Sequence, residues 1–594
     1  GSRGLFAGKI SSYQGKLQLS HPDYELFAED IDEADAKLWA ELPIPIYPAS
    51  SKVTTWMIGR AIGVLLDVMP AIVEELPAEV VEANNLLSLE EAIRLVHRPE
   101  NDSQWQAARD TLRFHEAFLL QATLLKRRSE NATITTTPRN AGELLAGFDA
   151  NLPFTLTAGQ VTIGNELLED LAQEHPMHRM LQGEVGSGKT LVAVRAMLAV
   201  AESGGQSALL APTEVLAAQH MRSIRKTLGD DLADKLGLTL LTGQLGTAEH
   251  KRALLQIVSG KAQIVVGTHA LISAKVEFFD LGLVVIDEQH RFGVEQREAL
   301  RLKGKKPPHV LTMTATPIPR TLAVSVFGDL DISTLTELPA GRQPITSHVV
   351  QQSQASLVAR TWARIAEEVA NGRQAFVVCS RIDDSETASE EEASLEVEDD
   401  ELELFEKRPP LATVVGITAA LREVEALKSL RIEMLHGRMS SEEKDDVMNR
   451  FANREIDVLV STTVIEVGVD VPNATVMAVI DADRFGISQL HQLRGRVGRG
   501  GNAGLCLLLT AAEPGSVALD RVQAVASTLD GFKLSEIDLE LRREGDVLGA
   551  NQSGGRSSLK LLRVIRDAEL IQDARTQAEK VLAADPTLEK NAQL

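Results

Sequence analysis

Gly183-Glu184-Val185-Gly186-Ser187-Gly188-Lys189-Thr190 fits the pattern G-x-x-x-x-G-K-[ST], with Gly183, Gly188, Lys189 and Thr190 at the required spacing. The apolar pair Met180-Leu181 stands before it, and Leu191-Val192-Ala193-Val194, of helix-forming character, follows. Backbone N–H groups in such a loop, with a helix N-terminus behind them, form a positive concavity for phosphate oxygens. Glycine recurs because side chains would block that approach and some positions want positive φ. Lys189 is long enough to reach β- and γ-phosphates, and the Thr190 hydroxyl can ligate Mg²⁺. The loop predicts nucleotide binding without saying what the nucleotide drives.

Outward from the loop, short apolar strands alternate with helical stretches. Ala208-Leu209-Leu210, Ile264-Val265-Val266, Leu283-Val284-Val285-Ile286 and Val310-Leu311-Thr312-Met313 are continuous apolar runs, as a parallel sheet covered on both faces requires. After a join near Pro339-Ala340-Gly341-Arg342 the pattern restarts. Its strands are expected at Ala375-Phe376-Val377-Val378, Thr413-Val414-Val415, Val458-Leu459-Val460, Val476 to Ile480 and Leu505 to Leu509. The fold class is therefore α/β, with two tandem parallel-sheet units and a phosphate loop in the first alone. Upstream, residues 5–28 alternate around Gly8 and Gly15 and predict a hairpin. Residues 50–135 are helical in pattern, and Ser88 followed by Glu91 predicts a capping box.

With 594 residues the chain has room for roughly three to four domains of about 100–200 residues. No apolar run approaches the ~20 residues needed to span a bilayer, which excludes a membrane helix, and no secretory leader stands at the start. Cys379 and Cys506 are the only cysteines, far apart and without metal-ligand spacing, as expected of a cytoplasmic protein with no structural disulfide. Gly1-Ser2 has the look of a cleavage scar. The net charge of −23 argues naively against nucleic acid, but thirteen acids and no base lie between Asp383 and Glu406, leaving −10 for the remainder. That run predicts a solvated insertion, so local basic patches decide about nucleic acid.

A second set of chemistry lies downstream. Leu283 to Ile286 ends in Asp287-Glu288, and an acid at the end of a buried strand near a phosphate loop can hold Mg²⁺ while its neighbour orients water. Asp287 is assigned to the metal and Glu288 to the water. Arg494, Arg496 and Arg499 fall within six residues among glycines. If the two units face each other, Arg496 and Arg499 can stabilise charge on a γ-phosphate. Read alone, that loop serves equally as a basic surface or a nucleic-acid contact.

Taken in order, Gly183 to Thr190, Ala211-Pro212-Thr213-Glu214, Gly267-Thr268-His269, Asp287-Glu288-Gln289-His290, Thr314-Ala315-Thr316-Pro317, Ser461-Thr462-Thr463, Glu466 to Asp470 and Gln492 to Arg499 resemble the motif series of superfamily 2 helicases. His290 to Val294 and Thr316 to Thr321 resemble the RecG and Mfd branch. Gly15 to Tyr24, which resembles the last hairpin of the RecG wedge domain, favours RecG. The resemblance implies two RecA-like motor domains, at 146–342 and 343–525, behind an OB-fold remnant (1–48) and a helical linker region (49–145), followed by a helical-hairpin translocation motif and tail (526–594). It implies an ATP-dependent helicase that remodels branched double-stranded DNA such as stalled forks and Holliday junctions, working as a monomer, with replication or single-strand-binding proteins as partners and no membrane. ATP and Mg²⁺ are the implied cofactors. Gln160 and residues Gly183, Glu184, Val185, Gly186, Ser187, Gly188, Lys189 and Thr190 are implied to hold the nucleotide, with Thr190 and Asp287 on the metal. Lys189, Asp287, Glu288, Arg496 and Arg499 are the implied catalytic set; His290, Thr314, Thr316, Arg542 and Gln552 are implied to couple hydrolysis to DNA.

Three departures qualify this. Glu184 stands where relatives usually have Asp, Arg543-Glu544 where they tend to have Gly-Pro, and Asn551 where they tend to have Arg. Most of the OB-fold expected before residue 5 is missing from this sequence, which implies poor handling of branched DNA beside a retained ATP site. The alternative from another class is a non-catalytic DNA-binding scaffold on an inactive motor fold.

Overall fold

The computed structural model describes residues 4–13, 16–26, 43, 45–47, 53–288, 299–315, 330–337, 344–380, 412–462, 471–498, 501–541, 560–562, 566–591 and 593. The chain divides into two compact units, Gly1–Arg127 with Ser558–Leu594, and Arg128–Ser557.

In the first unit β1 (Gly4–Tyr13) and β2 (Lys16–Leu26) pair antiparallel as the alternation predicts. The register shifts at Gly8, opposite His21-Pro22, where proline has no ladder N–H to lose. Helices α1 (Thr55–Val68), α2 (Leu89–His97) and α3 (Asp102–Thr133) occupy the stretch with helical periodicity. Ser88 Oγ accepts from Glu91 N–H and so caps α2, while the carboxylate of Glu74 takes the Leu89 N–H. On α3 the buried positions Ala108, Thr111, His115, Phe118 and Ala122 recur every three to four residues, the spacing of one helix face. From that helix the Glu116 carboxylate accepts three successive backbone N–H groups, of Lys560, Leu561 and Leu562, at 2.6, 2.9 and 2.8 Å. Those bonds bring the end of the chain, including the helix Ala568–Ala584, into this unit.

The second unit holds two all-parallel sheets. One has seven strands in the order β5-β6-β4-β7-β8-β3-β9: β3 (His178–Gly183), β4 (Gln206–Leu210), β5 (Thr239–Leu241), β6 (Ile264–Gly267), β7 (Leu281–Asp287), β8 (His309–Thr314) and β9 (Asp331–Leu335). The other has six in the order β10-β15-β14-β11-β13-β12: β10 (Ile345–Gln351), β11 (Gln374–Val378), β12 (Ile432–Leu435), β13 (Val458–Ser461), β14 (Ala474–Val479) and β15 (Gly504–Thr510). Each sheet is buried on both faces by separate apolar clusters, which is why its central strands are apolar throughout. Helix α4 (Ala158–Leu171), α5 (Lys189–Glu202) and α6 (Glu214–Leu228) pack on the first sheet. Every residue of α5 from Val192 to Ala201 is buried, and all of them are apolar except Arg195, whose guanidinium is paired with the Asp149 carboxylate.

Thr413-Val414-Val415, expected as a strand, instead opens the helix Val414–Glu423. Thr413 Oγ1 accepts from Gly416 N–H as an N-cap, and Val414, Thr418 and Leu421 bury one helical face. A short apolar run fits either element, and the cap decided it. Strand β3, of which only the apolar pair Met180-Leu181 was singled out, and strands β5, β9, β10 and β12, short or mixed in polarity, were not among the expected ones. The acidic run at 383–406 lies outside the described residues.

In the six-stranded lobe α7 (Ile487–Arg494), α8 (Val517–Ser527) and α9 (Gly531–Leu541) pack on one another. Arg494 is 2% exposed and turned beneath α8. Its guanidinium donates to the carbonyls of Val525 and Thr528 and to Nδ1 of His491. The cation thereby satisfies carbonyls at the negative end of α8. Arg494→Ala should lower unfolding free energy by about 2–4 kcal/mol, read from urea denaturation, because carbonyls and a histidine nitrogen lose a charged donor.

His309 at the head of β8 is fully buried; its Nδ1 accepts from Met177 N–H at 3.0 Å and its Nε2 faces the Thr137 carbonyl. This arrangement needs the neutral ring. Burial, with lesser help from nearby cations, pushes the pKa of His309 down to about 4, and burial does the same for neighbouring His178. Since the unfolded chain takes up these protons first, the stability they confer is complete above about pH 6.5 and is lost as pH falls toward 4. His309→Asn, which keeps an acceptor for Met177, should flatten the acid-side fall of melting temperature between those limits.

Candidate nucleotide site

The C-terminal ends of β3, β8 and β7 lie side by side, with Leu181 opposite Met313, Met313 opposite Asp287, and Gln182 opposite Thr314. Ligands of open parallel sheets bind outside such an edge. The loop Gly183 to Gly188 leaves β3 here and α5 starts at Lys189. Gly188 has φ +90°, and a Cβ on it would stand 2.2 Å from Nε2 of Gln160. A Cβ on Gly183 would meet the Leu335 carbonyl of β9 at 2.9 Å. Both positions therefore exclude a side chain.

Gln160 is buried in the first turn of α4, where Thr157 and Gln160 form a reciprocal capping box. Its Oε1 accepts from Thr157 N–H and its Nε2 donates to the Ser187 carbonyl at 2.9 Å. The residue implied to contact the base thus also fastens α4 to the phosphate loop. At the same turn Glu337 accepts from Gly159 N–H at 3.1 Å, and that bond, with one from Thr157, holds its carboxyl below the usual range. Lys189 folds over the loop and donates to the carbonyls of Gly183 (2.7 Å) and Glu184 (2.9 Å).

Asp287 ends β7, and its Oδ2 accepts from Nε2–H of His220, on α6, at 2.7 Å. Burial alone would raise the Asp287 pKa; the bond and charge of His220, the Lys189 ammonium and the Glu288 N–H outweigh it and hold it below the ordinary value. Glu288 adopts φ +50°, a left-handed conformation that costs a non-glycine residue about 1–3 kcal/mol and recurs at functional sites. Thr314 is buried at the end of β8. Thr190 and Asp287 offer a hydroxyl and an ionised carboxylate, the oxygen donors Mg²⁺ prefers. Among the described residues no group of three or more His, Cys, Asp or Glu could hold a metal alone. A metal shared with nucleotide phosphates fits that donor set.

The second lobe meets this site. A Cβ at Gly495, just past α7, would lie 3.6 Å from Cβ of Val185 in the phosphate loop. Arg496 follows directly. Oε1 of Glu184 accepts from Gly531 N–H, at the start of α9, at 2.9 Å. His290, Thr316, Arg499, Arg542 and Gln552 lie outside the described residues. The sequence reading missed His220, Glu337 and Gly531. His220 has one weak signal, its place in the helix opened by the Pro212-Thr213-Glu214 motif; the other two have none.

Residues 158–324 match the DEAD/DEAH box helicase family, 406–501 the helicase conserved C-terminal domain, and 528–593 the C-terminal part of domain 3 of the ATP-dependent DNA helicase RecG. The ATP-dependent DNA helicase RecG of Mycobacterium tuberculosis is 46% identical over 96% of this chain and 80% of its own length. That of Synechocystis is 40% identical over 99% of this chain and 67% of its own length. A solved structure of RecG bound to a three-way DNA junction superposes with a TM-score of 0.67 and 33% identity, covering 96% of this chain and 70% of that one. With two RecA-like parallel-sheet lobes meeting at a phosphate loop and relatives this similar along almost its whole length, the chain belongs to the RecG family of ATP-dependent DNA helicases.

Proposed function

We propose that this chain couples ATP hydrolysis to movement on double-stranded DNA and remodels branched substrates, stalled replication forks and Holliday junctions among them. The observation that supports this reading is the meeting of two lobes at one site: the phosphate loop with Asp287 and Glu288 on the first, and the Gly495-Arg496 turn of the second against Val185. The likeness to a RecG held on a three-way junction points to branched DNA as the substrate. The family and the intact phosphate loop leave the inactive-scaffold alternative without support. No described helix is long and apolar enough to cross a membrane.

The loop N–H groups and the start of α5 receive the phosphates, and the Lys189 ammonium turns from the Gly183 and Glu184 carbonyls to the β- and γ-phosphate oxygens. Thr190 and Asp287 are the residues that would hold Mg²⁺, which when bound would supply neutralisation of the phosphate charge. His220 keeps the Asp287 carboxylate ionised and aimed. Glu288 orients the attacking water and accepts its proton as the bond from the β–γ bridging oxygen to phosphorus breaks. Arg496, with Arg499 beside it in sequence, stabilises the developing charge from the second lobe, so hydrolysis requires the lobes closed. Gln160 reads the base while fixing the loop, and Thr314, His290 and Thr316 pass the change toward DNA. Arg542 and Gln552, which follow α9 in the chain, complete that coupling. The cytoplasm, where chromosomal DNA and ATP meet in bacteria such as the relatives' hosts, is the proposed setting.

ATP turnover should rise on adding forked DNA, and Lys189→Ala should reduce it about 100-fold or more. Turnover indifferent to DNA would overturn the motor reading. Glu288→Gln should retain binding of a fluorescent ATP analogue while hydrolysis slows by roughly 10²–10⁴.

A further inference from the structure

The phosphate loop is bonded to an element that takes no part in nucleotide chemistry. Helix α9 begins at Gly531, and Asp530 is its N-cap: Oδ1 accepts from Phe532 and Lys533 N–H, and its carbonyl accepts from Leu534 N–H. That cap leaves the Gly531 N–H, at the first helical position, to be satisfied from outside. The acceptor is the carboxylate of Glu184, from the other lobe and 347 positions away in sequence. A carboxylate at a helix N-terminus also gains from the helix dipole.

Glu184 is held at two points. Its carboxylate bonds α9, and its carbonyl accepts from the Lys189 ammonium at 2.9 Å as well as from the Ser187 N–H at 3.1 Å within the loop. Phosphate oxygens compete for that ammonium, since Lys189 has three donors and reaches a nucleotide by the same side chain. Arrival or loss of the γ-phosphate therefore changes what holds the Glu184 backbone, and through it the grip on α9. Helix α9 in turn packs on α7, the helix that ends at Gly495, and on α8, whose last carbonyls Arg494 clamps. It opens the segment that matches RecG domain 3 and leads in sequence to residues 542–552.

We propose that Glu184 is a positioning residue that ties the state of the phosphate loop to α9 through the Gly531 N–H, so that ATP turnover is converted to movement on DNA. This rests on the motor function proposed above. It goes beyond the arginine contacts in making the loop itself grip the helix that precedes the DNA-directed segment.

The test is to delete the donor and leave the helix. Proline is at home at the first helical position, where it lacks only the N–H, and the extended conformation it imposes on the residue before it suits an N-cap. Gly531→Pro therefore removes this bond, while Gly531→Ala retains it. DNA-independent ATP hydrolysis and melting temperature should match in the two variants. Base pairs translocated per ATP, measured by triplex displacement on duplex DNA, should fall about tenfold in Gly531→Pro alone, the factor for losing one hydrogen bond to a charged group. Glu184→Ala should show the same loss of yield per ATP, and combining it with Gly531→Pro should add nothing further, as for two ends of one contact. Equal yields from Gly531→Pro and Gly531→Ala, or additive losses in the double variant, would overturn this role and leave the motor function standing. A parent chain that hydrolyses no ATP with DNA present would overturn both.

Discussion

The amide of Gln160 occupies the space that a side chain on Gly188 would need, and from there it bonds both its own helix cap and the Ser187 carbonyl. The rest of the site depends on this packing. It fixes the phosphate loop against α4, and the backbone of Leu335 closes the other side against Gly183. A loop braced at both ends presents its N–H groups without having to be ordered when phosphate arrives, so less binding energy is lost to ordering. The α4 cap that braces it is itself held by Glu337, which lies on the stretch leading out of the first lobe. The phosphate loop, the start of α4 and Glu337 thus share one helix turn.

Parallel sheets explain why the chemistry collects where it does. All strands of a sheet end on the same edge, so Gly183, Asp287 and Thr314, scattered over 132 positions, become neighbours on β3, β7 and β8. Glu288, the residue just after β7, takes its left-handed φ of +50° at that same edge. The second sheet carries no phosphate loop; its contribution is the α7 terminus, which reaches the first lobe at Val185.

Both central sheets were legible because their strands are buried on two faces and must be continuously apolar. Leu283 to Ile286 and Val458 to Val460 admit little else. β9, Asp331-Ile332-Ser333-Thr334-Leu335, sits at a sheet edge and needs apolar residues on one side only, so its composition resembles a loop. Thr413-Val414-Val415 failed for a different reason: β-branched residues favour strands, but a threonine hydroxyl placed to cap a helix outweighs that preference locally. In the site, residues fixed by a motif were readable, whereas those fixed by tertiary contact were not. His220 is one histidine in an amphipathic helix until β7 places Asp287 beside it. Glu184 reads as a spacer within the loop pattern, and its partner lies in a helix whose start carries no motif.

The arginine cluster shows how a helix end divides similar residues between different tasks. Arg494 is the last residue of α7, still within the helix, and its side chain is directed under α8 to the carbonyls of Val525 and Thr528. Gly495 then ends the helix, and the turn lies against Val185, close enough that a Cβ there would be in ordinary contact with it. Arg496 is the next residue of that turn. Position relative to the helix end, rather than the number of arginines, thus decides which of them becomes the buried clamp. The same packing joins α7 to α8 and α9, so the turn that meets Val185 is continuous with the helix that Glu184 holds. Helix α9 is thus connected to the phosphate loop by two routes, through its packing on α7, whose end meets Val185, and through the Glu184 bond. In the motor cycle proposed above, a shift of one lobe against the other that left α9 in place would have to break both.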